Sequence, residues 1–224
     1  MVNSKHASQD IRIVKCFDGL NIAFDLIHFA YENLYKECCK LKVDQNNLSS
    51  ILLQCWSIID NVHRIREISQ AIPGLNKKND KLLEFISNST IAEEFRHYIQ
   101  HLRSELLKTE IDSFPVWGAL SWVDENENTV AHVAIIGSTL DGISYPSCVY
   151  DRLDKKWVSM VSLSVLNLSF NFDPIYSFVQ NFKNFIIPWM VEMYEPGIEL
   201  KTEIPIISAK IYVPSAEDEA MVDK

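Results

Sequence analysis

The sequence predicts an α+β protein: an antiparallel helical bundle over residues 1–113, then a mainly antiparallel β-sheet domain with one covering helix over residues 114–224. Three observations carry this expectation. Apolar residues recur at steps of three and four in the first segment and at every second position in much of the second. Six Gly and eight Pro in 224 residues are few, which predicts long elements and short connections. A chain that is 47% hydrophobic and 23% charged can bury a real core, so disordered, collagen-like and low-complexity classes are excluded.

Taken in order, Ile11, Val14, Phe17, Leu20, Ala23, Leu26, Ala30, Leu34 and Cys38 mark one long amphipathic helix. Residues 46–72 repeat the pattern through Leu48, Leu52, Cys55, Ile59, Val62, Ile65 and Ile68, with Trp56 beside the stripe. Pro73 and Gly74 close that helix, since Pro lacks an amide donor and Gly accepts a left-handed exit. A shorter helix is expected near residues 80–87. The next opens at Thr90, where Glu93 three positions on gives a capping-box pattern, and it runs to about Glu110. Three long helices and one short one pack most simply as an antiparallel bundle.

The period changes at Phe114-Pro115. Residues 116–123 and 129–137 flank a polar turn at 124–128, which reads as a hairpin. Residues 157–172 alternate with two phase slips, as one long bulged strand or two strands with a break would. Asp173-Pro174 then starts a helix through Phe178, Phe182, Phe185 and Trp189, with a kink expected at Pro188. A closing strand is expected over residues 206–213, followed by a polar tail.

Function classes narrow quickly. No run of about eighteen apolar residues occurs, and the first ten residues lack an apolar signal core. A soluble, cytoplasmic protein without a membrane partner is expected, in which the sequons at Asn47, Asn88 and Asn167 carry little meaning. Cys16, Cys38, Cys39, Cys55 and Cys148 are odd in number and form no CxxC pair, so idle thiols in a reducing compartment are expected. The net charge of −9 is uneven: residues 1–113 hold fourteen Lys and Arg against fifteen Asp and Glu, residues 114–224 seven against fifteen. Such a chain binds nucleic acid only through a local site. The acidic second segment suits masking that site or docking a basic partner. With so few Gly, there is no phosphate-cradling loop, dinucleotide fingerprint or nucleophile elbow.

The richest chemistry lies in the stretch from Glu93 to Arg103, EEFRHYIQHLR. On a helical wheel Phe95, Tyr98, Leu102 and Leu106 form the apolar stripe. Arg96 and His101 fall on the flanks of the polar face, with His97 and Gln100 between them. Such a face serves either as a charged surface, paired with Glu93 and Glu105, or as the wall of a cleft shared with another subunit. His28, on a mostly apolar helix, reads as a core or edge histidine. Asp60 and His63, one helical turn apart, read as a bridged pair.

Arg96-His97-Tyr98-Ile99-Gln100-His101 resembles the motif of HEPN domains: an Arg, a polar residue, three variable residues and a His on the last long helix of a bundle. The stretch from Trp56 to Arg64, which holds Asp60 and His63, also resembles the second helix of HEPN-like bundles. The resemblance spans roughly residues 10–110. It implies a metal-independent endoribonuclease, needing no cofactor, that cuts RNA at the cleft of a homodimer. Arg96 would hold the scissile phosphate and His101 would act as general base or acid, with His97, Asp60, His63 and Arg64 in support. Many toxins of this family, paired with an antitoxin or regulatory protein, carry a Tyr two residues after the His, and here that position is Arg103.

Two other classes compete. Asp60 with His63 and Glu94 with His97 place a carboxylate and an imidazole at i, i+3 on two helices, a spacing used by carboxylate-bridged metal sites in bundles. Glu32 or Glu37 could complete that shell. The third class is a non-catalytic dimeric module that binds RNA or protein.

Overall fold

A computed structural model describes residues 11–41, 47–108, 116–127, 129–138, 149–151, 153–194 and 200. It shows an α+β fold. Helices α1 (Ile11–Leu41) and α2 (Leu48–Ala71) form an antiparallel pair, followed by α3 (Asp80–Asn88), α4 (Thr90–Gln100) and the short α5 (Leu102–Leu106). Strands β1 (Ala119–Val123), β2 (Ala131–Ile135), β5 (Val161–Val165) and β6 (Leu168–Asn171) make a four-stranded antiparallel sheet in the order β2-β1-β5-β6. A separate two-stranded ladder joins β3 (Tyr150–Asp151) to β4 (Lys156–Trp157). The last described helix, α6 (Phe172–Tyr194), packs against α1, α3 and β5.

The expected helices form because their apolar positions bury. Phe17, Leu20, Phe24 and Ile27 of α1 meet Ile51, Ile58, Val62 and Ile65 of α2 in one core. The buried line on α1 is not quite the expected one: Ile11 and Leu26 are exposed, together with Ile22 and Phe29, the last at 70%. Helix α2 stops at Ala71 as expected, and Gly74 takes φ +75° in the turn that follows. The hydroxyl of Tyr194, at the far end of α6, donates to the carbonyl of Pro73 and pins that turn.

The second segment departs from expectation in instructive ways. The 116–123 and 129–137 stretches pair as a hairpin, with Leu120 opposite Ala134. Asp124 starts the turn by accepting the amides of Asn126 (2.8 Å) and Glu127 (3.0 Å), while its other oxygen accepts from His132 Nε2 (2.6 Å). The alternating run from 157 to 172 divides into β4, β5, β6 and the start of α6. A tight turn at Leu166–Asn167, with Leu166 at φ +53°, separates β5 from β6. Although Ser alternates with apolar residues in β5, both of its faces are buried. Ser162 there donates to Asn171 (2.6 Å) and Ser164 to the carbonyl of Ala119 (3.2 Å). Gly118, at φ +83°, has no room for a side chain: a Cβ would lie 2.1 Å from the carbonyl oxygen of Ser164. Helix α6 continues through Pro188 to Tyr194. Phe114-Pro115, the boundary at residue 113, Cys148, the 206–213 strand and the tail lie outside the described residues.

Buried residues from both segments belong to one cluster. Phe85 of α3 stacks on Phe182 of α6 at 4.4 Å between ring centroids, and Phe95 of α4 meets Phe170 of β6 edge-on at 5.7 Å. These contacts fix α4 between α2 and the edge strand β6, which decides what each face of the motif helix can see.

Candidate functional site

Helix α4 forms around Ala92, Phe95 and Tyr98, all buried. Its start differs from the expected capping box. The helix is entered from Ser89, and the Thr90 hydroxyl donates backward to the carbonyls of Ile86 and Ser87. Glu93 turns instead to Arg66 of α2 (2.7 Å). Arg66 is only 5% exposed and also donates to Ser89 Oγ (2.8 Å) and the carbonyl of Ile86, so one guanidinium ties α2 to the α3–α4 junction. The sequence carries a signal for this: Arg66 occupies the apolar side of α2, between Val62, Ile65 and Ser69.

The end of α4 differs too. The regular helix stops at Gln100, and His101, at φ −102° and ψ 15°, forms the corner into α5. Leu106 therefore leaves the expected stripe and is exposed, Leu102 stays partly buried against the core, and no residue of α5 is fully buried.

The structure brings four of the six expected site residues together. Asp60, on the face of α2 toward α4, accepts from two guanidiniums at once: Arg96 Nη1 through Oδ1, and Arg64 Nη2 through Oδ2 at 2.6 Å. Arg96 remains 34% exposed. His63, one turn along α2, does not bridge to Asp60; its charged neighbours include Arg96, and burial together with that cation holds its pKa below the ordinary histidine value. The other two expected residues pair with each other. The rings of His97 and His101 lie 4.3 Å apart between centroids, tilted by 50°, and His101 is exposed. Among the described residues, no hydrogen bond or ring contact joins Arg96 to His101.

His97 also lines a groove of about 500 Å³ between α4 and the β5–β6 turn, with Glu93, Glu94 and Glu105 on one side and Leu166 and Leu168 on the other. The carboxylate–imidazole pairs of α2 and α4 thus look different ways, Asp60 into the arginines and His97 into the groove. Among the described residues, no three His, Cys, Asp or Glu side chains are grouped to hold a metal ion. His28 is an edge histidine on the surface, sharing a hydrogen bond with the Tyr176 hydroxyl (2.7 Å).

A second polar junction carries no sequence signature. Asp173, at the start of α6, accepts from the Tyr31 hydroxyl (2.8 Å), the Ser159 hydroxyl (2.5 Å) and the Met160 amide (2.7 Å). This carboxylate fastens α1 and the sheet to α6. Compared with known proteins, the chain matches no family model, no curated protein and no solved structure. No described helix is long and apolar enough to cross a membrane.

Proposed function

We propose that the chain is a metal-independent endoribonuclease of the HEPN type, working as a homodimer whose two α2–α4 faces form one cleft. The observation that carries the reading is Arg96 held by Asp60 on a part-exposed face, with the exposed imidazole of His101 five residues further along the chain. A guanidinium has five donors and Asp60 engages Nη1, which leaves Nη2 for a phosphate oxygen. Within one copy, Arg96 and His101 point apart, so a composite site would take the arginine of one copy with the imidazole of the other.

The reaction is a transesterification. The ribose 2′-hydroxyl attacks the adjacent phosphorus as an imidazole removes its proton, and the bond to the 5′-oxygen breaks as that oxygen is protonated. The products are a 2′,3′-cyclic phosphate and a free 5′-hydroxyl. Arg96 would stabilise charge on the non-bridging oxygens, a task suited to a cation that never deprotonates. The purified chain should cut single-stranded RNA in EDTA, and Arg96→Ala or His101→Ala should each reduce the rate by at least about a hundredfold with the circular dichroism unchanged. Absence of cleavage by the wild-type chain would end this reading.

The lack, among the described residues, of any contact between Arg96 and His101 within one copy favours a second reading, a non-catalytic module that binds RNA or protein. In that case RNA would be bound intact, and Arg64→Ala would weaken binding more than His101→Ala.

A further inference from the structure

Three buried atoms on the α2–α4 face lack a hydrogen-bond partner: Nε1 of Trp56, which lies about 10 Å along α2 from His63, and two that are chemically complementary neighbours. Of that pair, one is Nδ1 of His63, the other Nε of Arg96. A buried polar atom left unpaired costs free energy, so each of them calls for an explanation. Arginine Nε is always a donor, whereas Nδ1 of a neutral imidazole is an acceptor whenever the proton sits on Nε2. The side chains are neighbours: Arg96 reaches Asp60, which lies one turn before His63 on α2. The other described buried acceptors without a partner are worse placed. Gln54 Oε1 is nine residues before His63 on α2, about 13 Å along the axis, and Ser121 lies in β1.

We propose that His63, as its Nε2–H tautomer, accepts a hydrogen bond from Nε–H of Arg96, so that the guanidinium is held at Nη1 by Asp60 and at Nε by His63. Two anchors on different nitrogens of a planar group fix its plane as well as its position, and Nη2 is then aimed rather than free to swing. The surroundings favour a neutral ring. Burial and the Arg96 charge both work against protonation, ahead of the opposing pull of Glu67 and Glu93, and Arg66 adds to the repulsion. His63 is accordingly a positioning residue. Its consequence for catalysis rests on the ribonuclease reading; the contact itself does not.

The test uses the full chain labelled with ¹⁵N at neutral pH. Nitrogen chemical shifts should show His63 with its proton on Nε2, and the Nε–H resonance of Arg96 should be resolved and slow to exchange. His63→Asn, whose amide oxygen replaces the Nδ1 acceptor, should keep that resonance. His63→Ala should lose it and, if RNA is cut, lower kcat about tenfold with KM little changed, the effect of losing one hydrogen bond to a charged group. A His63 proton on Nδ1, or an Arg96 Nε–H signal indifferent to His63→Ala, overturns the proposal. Should the bond be seen while the wild-type chain cuts no RNA, the contact stands and the ribonuclease reading falls.

Discussion

Asp60 shows how much a single side chain can decide. Its two oxygens gather cations from two helices, and the sequence alone gives no reason to pair it with a residue thirty-six positions away. The composition of the cluster was legible, since Asp60, His63, Arg64 and Arg96 were all candidates. Its connectivity was not, because i, i+3 spacing pointed Asp60 toward His63 while the tertiary fold offered a stronger partner. Tyr35 is a second residue whose behaviour comes from its surroundings. Its hydroxyl donates to the carbonyl of Val123 (3.1 Å), and burial, with Cys39, Glu125 and Asp124 nearby, pushes its pKa up to about 12. Tyr31 is shifted upward as well, chiefly by burial and then by its bond to Asp173. A phenol that keeps its proton in the folded chain after the unfolded chain has released it makes stability fall as pH rises from about 10 toward 12. Below pH 10 Tyr35 contributes no such dependence. Phenolate absorbance during an alkaline titration should show at least two of the eight tyrosines lagging, and Tyr35→Phe should remove part of the alkaline loss of stability.

At the scale of elements, hydrophobic period located the helices and the hairpin well, because a 3.6-residue or two-residue repeat survives in any packing that buries one face. Ends were read less well, because long-range partners set them. The capping-box pattern at Thr90 and Glu93 is a local signal, and it lost to Arg66, a cation with few other partners in the core. Arg66→Met should therefore separate the α3–α4 junction from α2. It should cost about 1.5–3 kcal/mol in urea unfolding, the range for hydrogen bonds to a charged group, with the exposure of Glu93 keeping it below the cost of a fully buried pair. Glu93→Gln, which retains one acceptor at the exposed end, should cost clearly less. Equal losses for the two variants would mean that the carboxylate, not the anchoring of Ile86 and Ser89, holds the junction. The 157–172 run holds strands with a break, one of the two forms its alternation allows. Its phase slips are a hairpin turn at Leu166 and Asn167, residues that carry no glycine to announce it.

For the molecule as a whole, the change of period near residue 113 showed two kinds of secondary structure but could not say how they pack. The apolar cluster runs through both, with Phe182 on Phe85 and Phe170 on Phe95 as its most direct links. Unfolding of the full chain should be a single cooperative transition, with helical and aromatic signals coinciding. A fragment of residues 1–113 should keep helical content but lose sharp cooperativity, since Phe85 and Phe95 would be left facing water. Two separated transitions, or a fragment that melts as steeply as the intact chain, would show two independent units.

The corner at His101 has a consequence in time rather than in space. Ahead of it, Ala92, Phe95 and Tyr98 are buried; behind it, five residues are helical with none fully buried. Deuterium should enter the amides of residues 103–106 within the dead time of an exchange experiment, whereas those of residues 94–98 stay dark until the whole domain opens. The exposed imidazole thus stands on the seam between slow and fast chain, five residues beyond an arginine that stays put.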